Sequence, residues 1–372
     1  MFSLEPSKEK DGILIINALD IQNPMSGGAE MYCHEIGKRL VKKGYKVYFL
    51  SSKFKGSKSH VLVDGVRIHR IGNKLTFYLL GGIFSLKYTN KVKFVLESIS
   101  PLPHFSRWFL NRDNVAMIHH ISPPWAIRRK LKLLTFFDFT YPIIYFAQYF
   151  LIPLLYKKYT IITNSKEAND FFSSKGFKNT HLLRTGTDIP ELNEAKTDLV
   201  VFPGPLKSWK RPEDAIFAFV SAPENWKMIM FGAADSKIYI DQLHSLLKKY
   251  RLEDRVTILG RVSDKEKWSY FKRSKIAIVS SVYEGWGLSA LEAQASGCVI
   301  LGYNVPGINR CVVDGETGIL VEDGNKDKLR MNLGQITRNH VKLEVLSKKA
   351  LAHASFYSWN NAMEDFESIL NI

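Results

Sequence analysis

The stretch from Ser280 to Gly318, SSVYEGWGLSALEAQASGCVILGYNVPGINRCVVDGETG, holds the densest set of residues able to do chemistry. Two carboxylates, Glu284 and Glu292, stand with seven residues between them, and glycines crowd the loop Tyr283-Glu284-Gly285-Trp286-Gly287. The spacing reads as a strand over Ile276–Ser280, this loop, and a helix that begins near Leu288. Glycines let the backbone come close to a ligand, and the first unsatisfied amides of a helix attract anions such as a diphosphate. A carboxylate one turn further in, Glu292, is placed to accept hydrogen bonds from the paired hydroxyls of a sugar. The plainer reading of the same residues is two solvated glutamates at a helix end.

The elements around this loop alternate between strand and helix. Residues 12–17 (GILIIN), Tyr45–Ser51, Val92–Ser98 and Val115–His119 are strand-like, and a helix-spaced run covers Ala29–Lys43 with Met31, Ile36 and Leu40 on one face. After a polar loop at Asp188–Thr197 the pattern restarts. Strand-like runs at Leu199–Phe202, Met228–Phe231, Val256–Leu259, Ile276–Ser280 and Val299–Leu301 are separated by helical runs at Pro212–Val220, Ile238–Tyr250, Asp264–Arg273 and Ser289–Ser296. Such alternation predicts parallel sheets covered on both faces, hence an α/β fold of two Rossmann-like doubly wound lobes facing a cleft. The expected division is residues 1–195, residues 196–355, and a C-terminal segment 356–372 that returns to the first lobe.

The bulk properties agree with two such lobes. The 372 residues are 45% hydrophobic and 24% charged, which suits filled cores and excludes disorder, collagen and a coiled coil. Three cysteines, Cys33, Cys298 and Cys311, lack metal-ligand spacing, and Met1–Lys10 lacks the apolar run of a signal peptide, so a cytoplasmic chain without disulfides or metal is expected. The net charge of +16 is uneven, since residues 1–195 hold 28 basic and 15 acidic residues. A cationic first half suits anionic lipid or a phosphorylated small molecule, and no nucleic-acid motif accompanies it.

One segment departs from the α/β pattern. Phe139–Tyr156 runs 18 residues without a charge, between Arg128, Arg129, Lys130 and Lys132 on one side and Lys157 and Lys158 on the other. Its length raises a membrane span, but Pro142, Gln148, Pro153 and four tyrosines argue against one. Two readings stay open, a buried helix of the first lobe and an interfacial segment beside anionic lipid.

Taken together, Glu284, Glu292, the small-residue run Ala293–Gly297 and the turn Pro306-Gly307 resemble the donor site of the retaining GT-B glycosyltransferases of family four. The resemblance covers nearly the whole chain. It implies that Glu284 touches the transferred sugar, that the amides of Gly287, Leu288 and Ser289 lie near the diphosphate or sugar, and that Glu292 holds the nucleotide ribose. Lys210, in Val201–Lys210, matches the lysine that clamps the diphosphate. Gly27-Gly28 precedes the first helix where the family has its acceptor and phosphate loop, and His119, or His120 in its place, is similar to the histidine near the moving sugar. Asn164-Ser165, Thr185–Asp188 and Phe356–Trp359 match scaffold segments, and Arg261 stands where a base or ribose contact is plausible.

Two positions depart from the family's pattern. Pro205 replaces an arginine that usually follows Gly204, and Arg310 replaces a glutamate near the end of the turn at Gly307. Losing one of two charged contacts to a diphosphate weakens donor binding or slows transfer unless Lys207 or Arg211 reaches in. The expected activity is therefore a metal-independent transfer, with no cofactor, from a UDP- or GDP-type nucleotide sugar. The expected acceptor is a glycan or polyprenyl-phosphate-linked molecule at the cytoplasmic membrane surface. The alternatives are a non-catalytic sugar-nucleotide-binding homologue or assembly subunit, and a transferase acting on a soluble sugar phosphate.

Overall fold

A computed structural model describes residues 10–100, 102–110, 113–119, 121 and 140–370. His120, Phe139 and the basic residues Arg128, Arg129, Lys130 and Lys132 lie outside the described residues. The chain divides into two compact units, Met1–Leu183 with Asp365–Ile372, and Arg184–Glu364.

The first unit is built on an eight-stranded sheet in the order β3-β4-β2-β1-β5-β6-β7-β8. The strands are β1 (Lys10–Ile16), β2 (Tyr45–Ser52), β3 (His60–Val63), β4 (Val66–Ile71), β5 (Phe94–Ser98), β6 (Asp113–Met117), β7 (Thr160–Thr163) and β8 (Thr180–Leu182). All neighbours are parallel except the hairpin β3–β4 at one edge. The central run Ile13-Leu14-Ile15-Ile16 is buried on both faces, as expected for a parallel strand between two helical layers. From β1 the chain moves first to β2 and β4, then returns to β5 on the other side, so the switch point lies between β1 and β5.

Two buried carboxylates secure the loops beyond these strands. Asp20, after β1, receives Nε of Arg70 at 2.7 Å, Nη2 of Arg70 at 2.8 Å and Oγ of Ser51 at 2.9 Å. Glu97, on β5, accepts the amides of His104, Phe105 and Ser106 and the hydroxyls of Ser106 and Tyr156. Removing either carboxylate from water is tolerated because its oxygens are met by donors.

The uncharged segment forms a helix Thr140–Phe146, a π-helical turn Ala147–Leu151 and a last turn Ile152–Leu155. It is not wholly buried. Ala147, Gln148, Ile152 and Pro153 face inward, while Ile143, Phe146, Phe150 and Leu154 are 56–71% exposed at helical spacing. Among the described residues no helix is long and apolar enough to cross a membrane.

The second unit holds a fully parallel six-stranded sheet in the order β11-β10-β9-β12-β13-β14. These are β9 (Thr197–Pro203), β10 (Lys227–Phe231), β11 (Val256–Leu259), β12 (Ser274–Val279), β13 (Val299–Tyr303) and β14 (Gly318–Val321). Counted within the unit this is the 3-2-1-4-5-6 order of a dinucleotide-binding sheet, with its switch point between β9 and β12. Val200, Val201, Ile276, Ala277, Ile278 and Ile300 form the centre of the core. The last helix, Trp359–Leu370, belongs from Asp365 onward to the first unit, where Glu367 pairs with Lys43.

Candidate functional site

The loops after β9 and β12 meet where the second sheet switches direction, the place at which open parallel sheets bind ligands. They are stitched together before any side chain is considered: Val282 N donates to Trp209 O at 2.9 Å, and Ser280 Oγ donates to the carbonyls of Lys210 and Arg211. The stitching sets Lys210 beside Glu284. Lys210 Nζ forms an ion pair with Glu284 Oε1, which also accepts Ser281 Oγ at 2.6 Å. The Lys210 ammonium lies over the Trp209 ring, 4.7 Å from its centroid, and Lys210 is buried.

A second loop holds Glu284 from behind. Glu284 N donates to Pro306 O at 3.0 Å, and Gly307 adopts φ +89°, where a Cβ would stand 2.3 Å from Glu284 O. Only glycine fits that approach. Arg310 donates from Nη1 to Gly285 O at 3.2 Å, so the residue standing where the family pattern has a glutamate braces the same loop.

The helix Leu288–Ala295 starts from Gly287, which caps it at φ +80°. The amides of Ala290 and Leu291 donate to Gly287 O, leaving those of Leu288 and Ser289 ahead of the helical ladder at the positive end of the helix. Glu292 lies one turn further and is buried. Burial pushes its carboxyl pKa up, opposed by Lys267, whose Nζ donates to Glu292 Oε1 at 2.8 Å. Sequence reasoning missed Lys267. It lies 25 residues before Glu292 on another helix, and no local pattern links the two.

Each of the two basic residues near Pro205 lies beside an acidic side chain. Lys207 Nζ sits 3.6 Å from Asp235 Oδ1, and Arg211 pairs with Asp323 at 2.7 Å while its guanidinium covers the Tyr303 ring. Arg261 is exposed in the loop after β11, beside Gly260, whose carbonyl accepts Gly232 N at 3.1 Å.

The first unit carries its own set. β6 ends at Met117, so His119 stands two residues beyond the strand. Its Nδ1 donates to Asn164 Oδ1 at 3.2 Å, its Nε2 lies 4.0 Å from Cys33 Sγ, and Tyr32 meets it edge to face. Burial pushes the Cys33 thiol up to about 12, so it stays protonated and faces the imidazole as a donor. Tyr32 and Cys33 lie on the helix Gly28–Lys42, capped by Gly27, whose amide donates to Glu30 Oε2 at 2.8 Å. The glycine pair and the histidine thus belong to one neighbourhood, ordered by Asn164. Among the described residues no group of three or more His, Cys, Asp or Glu is arranged to hold a metal ion.

Residues 186–353 match the family model described as Glycosyl transferases group 1 and form a domain of that family. D-inositol 3-phosphate glycosyltransferase of Corynebacterium diphtheriae is 30% identical over 210 residues, covering 54% of this chain and 47% of that protein. The match thus spans about half the length of this curated relative. Among solved structures, sucrose-phosphate synthase from Thermosynechococcus elongatus superposes with TM-score 0.77 at 17% identity, covering 97% of this chain and 98% of that one. Anabaena HepE in complex with UDP-glucose superposes with TM-score 0.72 at 17% identity, covering 97% and 100%. The fold is the two-lobe α/β fold of GT-B glycosyltransferases.

Proposed function

We propose that this chain, with a group 1 glycosyltransferase domain over residues 186–353, moves a sugar from a UDP- or GDP-type donor to a glycan or polyprenyl-phosphate-linked acceptor at the cytoplasmic membrane surface, with retention and without a metal ion. The observation that carries this reading is the meeting of Lys210 and Glu284 at the switch point, beside the leading amides of Leu288 and Ser289. A nucleotide diphosphate leaves as an anion, and its growing charge needs fixed positive partners. Lys210 supplies the full charge and the helix start supplies partial charge, so the protein's own groups can stabilise departure. Glu284 is released from Lys210 when the diphosphate takes the ammonium, and it then accepts from hydroxyls of the transferred sugar.

Glu292 accepts from the ribose, and Arg261 lies on the loop toward the base. Gly27 and Gly28 open the helix that receives the acceptor, and His119, held by Asn164, donates or accepts at the sugar. No carboxylate is assigned as a nucleophile, which favours a same-face displacement with a donor phosphate oxygen taking the acceptor's proton.

The acceptor reading rests on the first unit. Its helical segment 140–155 presents Ile143, Phe146, Phe150 and Leu154 outward, and Lys157 and Lys158 follow after Tyr156. An apolar face beside basic residues suits an anionic lipid surface. A soluble sugar phosphate is the second reading, favoured by the inositol phosphate named for the curated relative.

The test is a thermal-shift panel of UDP-, GDP- and ADP-sugars without metal, followed by nucleotide release with and without a lipid extract. A shift with a UDP- or GDP-sugar and release that rises with lipid is expected. Release raised by a sugar phosphate instead selects the soluble acceptor, and a shift without release under any condition selects a non-catalytic binder. No shift with any donor overturns the donor-site assignment.

A further inference from the structure

The partner of Glu292 is placed by its own helix. Ser263 and Glu266 cap the helix Asp264–Arg273 reciprocally, with Ser263 Oγ accepting Glu266 N and Glu266 Oε2 accepting Ser263 N. This box fixes the first turn, on which Lys267 projects toward Glu292. The Lys267 ammonium reaches Glu292 Oε1 at 2.8 Å and Asp264 Oδ1 at 3.3 Å. Asp264 is 90% exposed in its side chain against 11% for Glu292, so the buried contact is the one that matters.

The surroundings of Glu292 are otherwise unfavourable to a negative charge. Among the described residues, Asp264 and Asp188 are the other charged groups acting on it, and both repel it. From helix His340–Phe356, which packs against the Glu292 helix, the buried residues are Leu343, Leu346, Ala350 and Ala354. Lys267 therefore opposes the burial of this carboxylate without cancelling it, and the carboxyl pKa stays raised.

We propose that Lys267 is a positioning residue of the nucleotide site: its ammonium fixes one oxygen of Glu292 and leaves the other to accept from a ribose diol. The proposal rests on the reading of Glu292 as the ribose acceptor. A carboxylate accepts charge-assisted bonds from both hydroxyls, whereas a protonated carboxyl offers weaker ones. Burial alone lowers the affinity of Lys267 for its proton, but Glu292 and Asp264 outweigh it and the pKa of Lys267 ends above its ordinary value, so the counter-charge persists at neutral pH. Without Lys267, Glu292 takes up a proton at a higher pH and the ribose contact fails first on the acid side.

The experiment compares wild type, Lys267→Met and Lys267→Arg by calorimetric titration with UDP and 2′-deoxy-UDP, and with GDP and 2′-deoxy-GDP in parallel, from pH 6.5 to pH 9. Lys267→Met is expected to bind the ribonucleotide more weakly than wild type, the loss growing toward pH 6.5 by up to about tenfold per pH unit and shrinking toward pH 9. The 2′-deoxy ligand is expected to distinguish wild type from Lys267→Met by no more than about twofold, and Lys267→Arg to follow wild type. A loss equal at every pH and equal for ribo- and deoxy-ligands makes Lys267 merely structural and overturns the proposal, as does the absence of any loss. If wild type binds neither UDP nor GDP, the donor-site reading itself fails, an outcome separate from wild-type binding that Lys267→Met leaves unchanged.

Discussion

Lys210 and Glu284 are 74 residues apart in the chain and form an ion pair beyond the ends of β9 and β12. Lys210 is buried and Glu284 largely so, with side-chain exposures of 6% and 12%. Neither partner can lose the other cheaply, because a desolvated charge left alone costs more than the pair contributes. In the proposed function, a diphosphate arriving at Lys210 would offer the ammonium a second anion and free Glu284, linking donor binding to the sugar contact.

Replacing Lys210 by Ala is expected to lower nucleotide release by about a hundredfold, the usual scale for losing one preorganised group at a developing negative charge. Ser281 still donates to Glu284, but the carboxylate loses its counter-charge, so the thermal midpoint is expected to fall as well and release is compared well below the variant's own midpoint. Steady-state release and a melting curve on one preparation check this. Unchanged release removes Lys210 from the mechanism.

Gly307→Ala is expected to displace the Glu284 loop. Its Cβ would stand 2.3 Å from the Glu284 carbonyl oxygen at a backbone φ of +89°, a strain of order 2 kcal/mol. Gly260→Ala, where a Cβ meets nothing within 4 Å, is the control and should leave donor affinity unaltered. Equal donor affinities in the two variants would show that the turn at Gly307 does not set the site.

The double variant Phe146→Ser, Phe150→Ser is expected to cut binding to vesicles containing anionic phosphatidylglycerol by about tenfold or more at low salt, because two exposed rings leave the lipid interface. Donor affinity should not change. Sedimentation with vesicles checks it; a wild-type protein that stays wholly in the supernatant counts against the membrane reading.

Stability is expected to fall between about pH 6.5 and pH 4 through His104, whose pKa burial lowers to about 4. The folded state keeps this ring neutral while the unfolded chain protonates it near 6.5, so the unfolded state binds more protons in that window and stability drops as pH falls. The full effect is of order 3 kcal/mol below the window. Tyr78 stacks on the ring at 5.1 Å and Phe77 meets it edge to face, so His104→Phe keeps the aromatic packing. Urea unfolding at several pH values should show a flatter profile for this variant; an identical profile assigns the acid loss to other groups.

Much of the fold was legible in the chain because buried parallel strands read as short apolar runs and helices as 3.6-residue repeats. Val256–Leu259 and Asp264–Arg273 are found at the residues expected from the pattern. The edge hairpin β3–β4 was not seen, since its outer strand is half exposed and carries little apolar signal. Strands β7, β8 and β14 have only three or four residues each, too few for a period to show.

The site divides in the same way. Glycines, helix start and carboxylates from Glu284 to Glu292 are local, so their order along the chain sets the chemistry they can offer. Pairings across the chain are not local: Lys210 with Glu284, Lys267 with Glu292, Asp20 with Arg70, and Asn164 with His119 each join separate elements. Whether a buried charge has a partner is decided by which loops the sheet order brings together, and residue types alone carry no record of that. Sequence by itself determined two α/β units and a glycine- and carboxylate-rich loop before a helix; tertiary structure decided that Lys267 pairs with Glu292, that Lys207 and Arg211 lie beside Asp235 and Asp323, and that one face of the uncharged segment points to solvent.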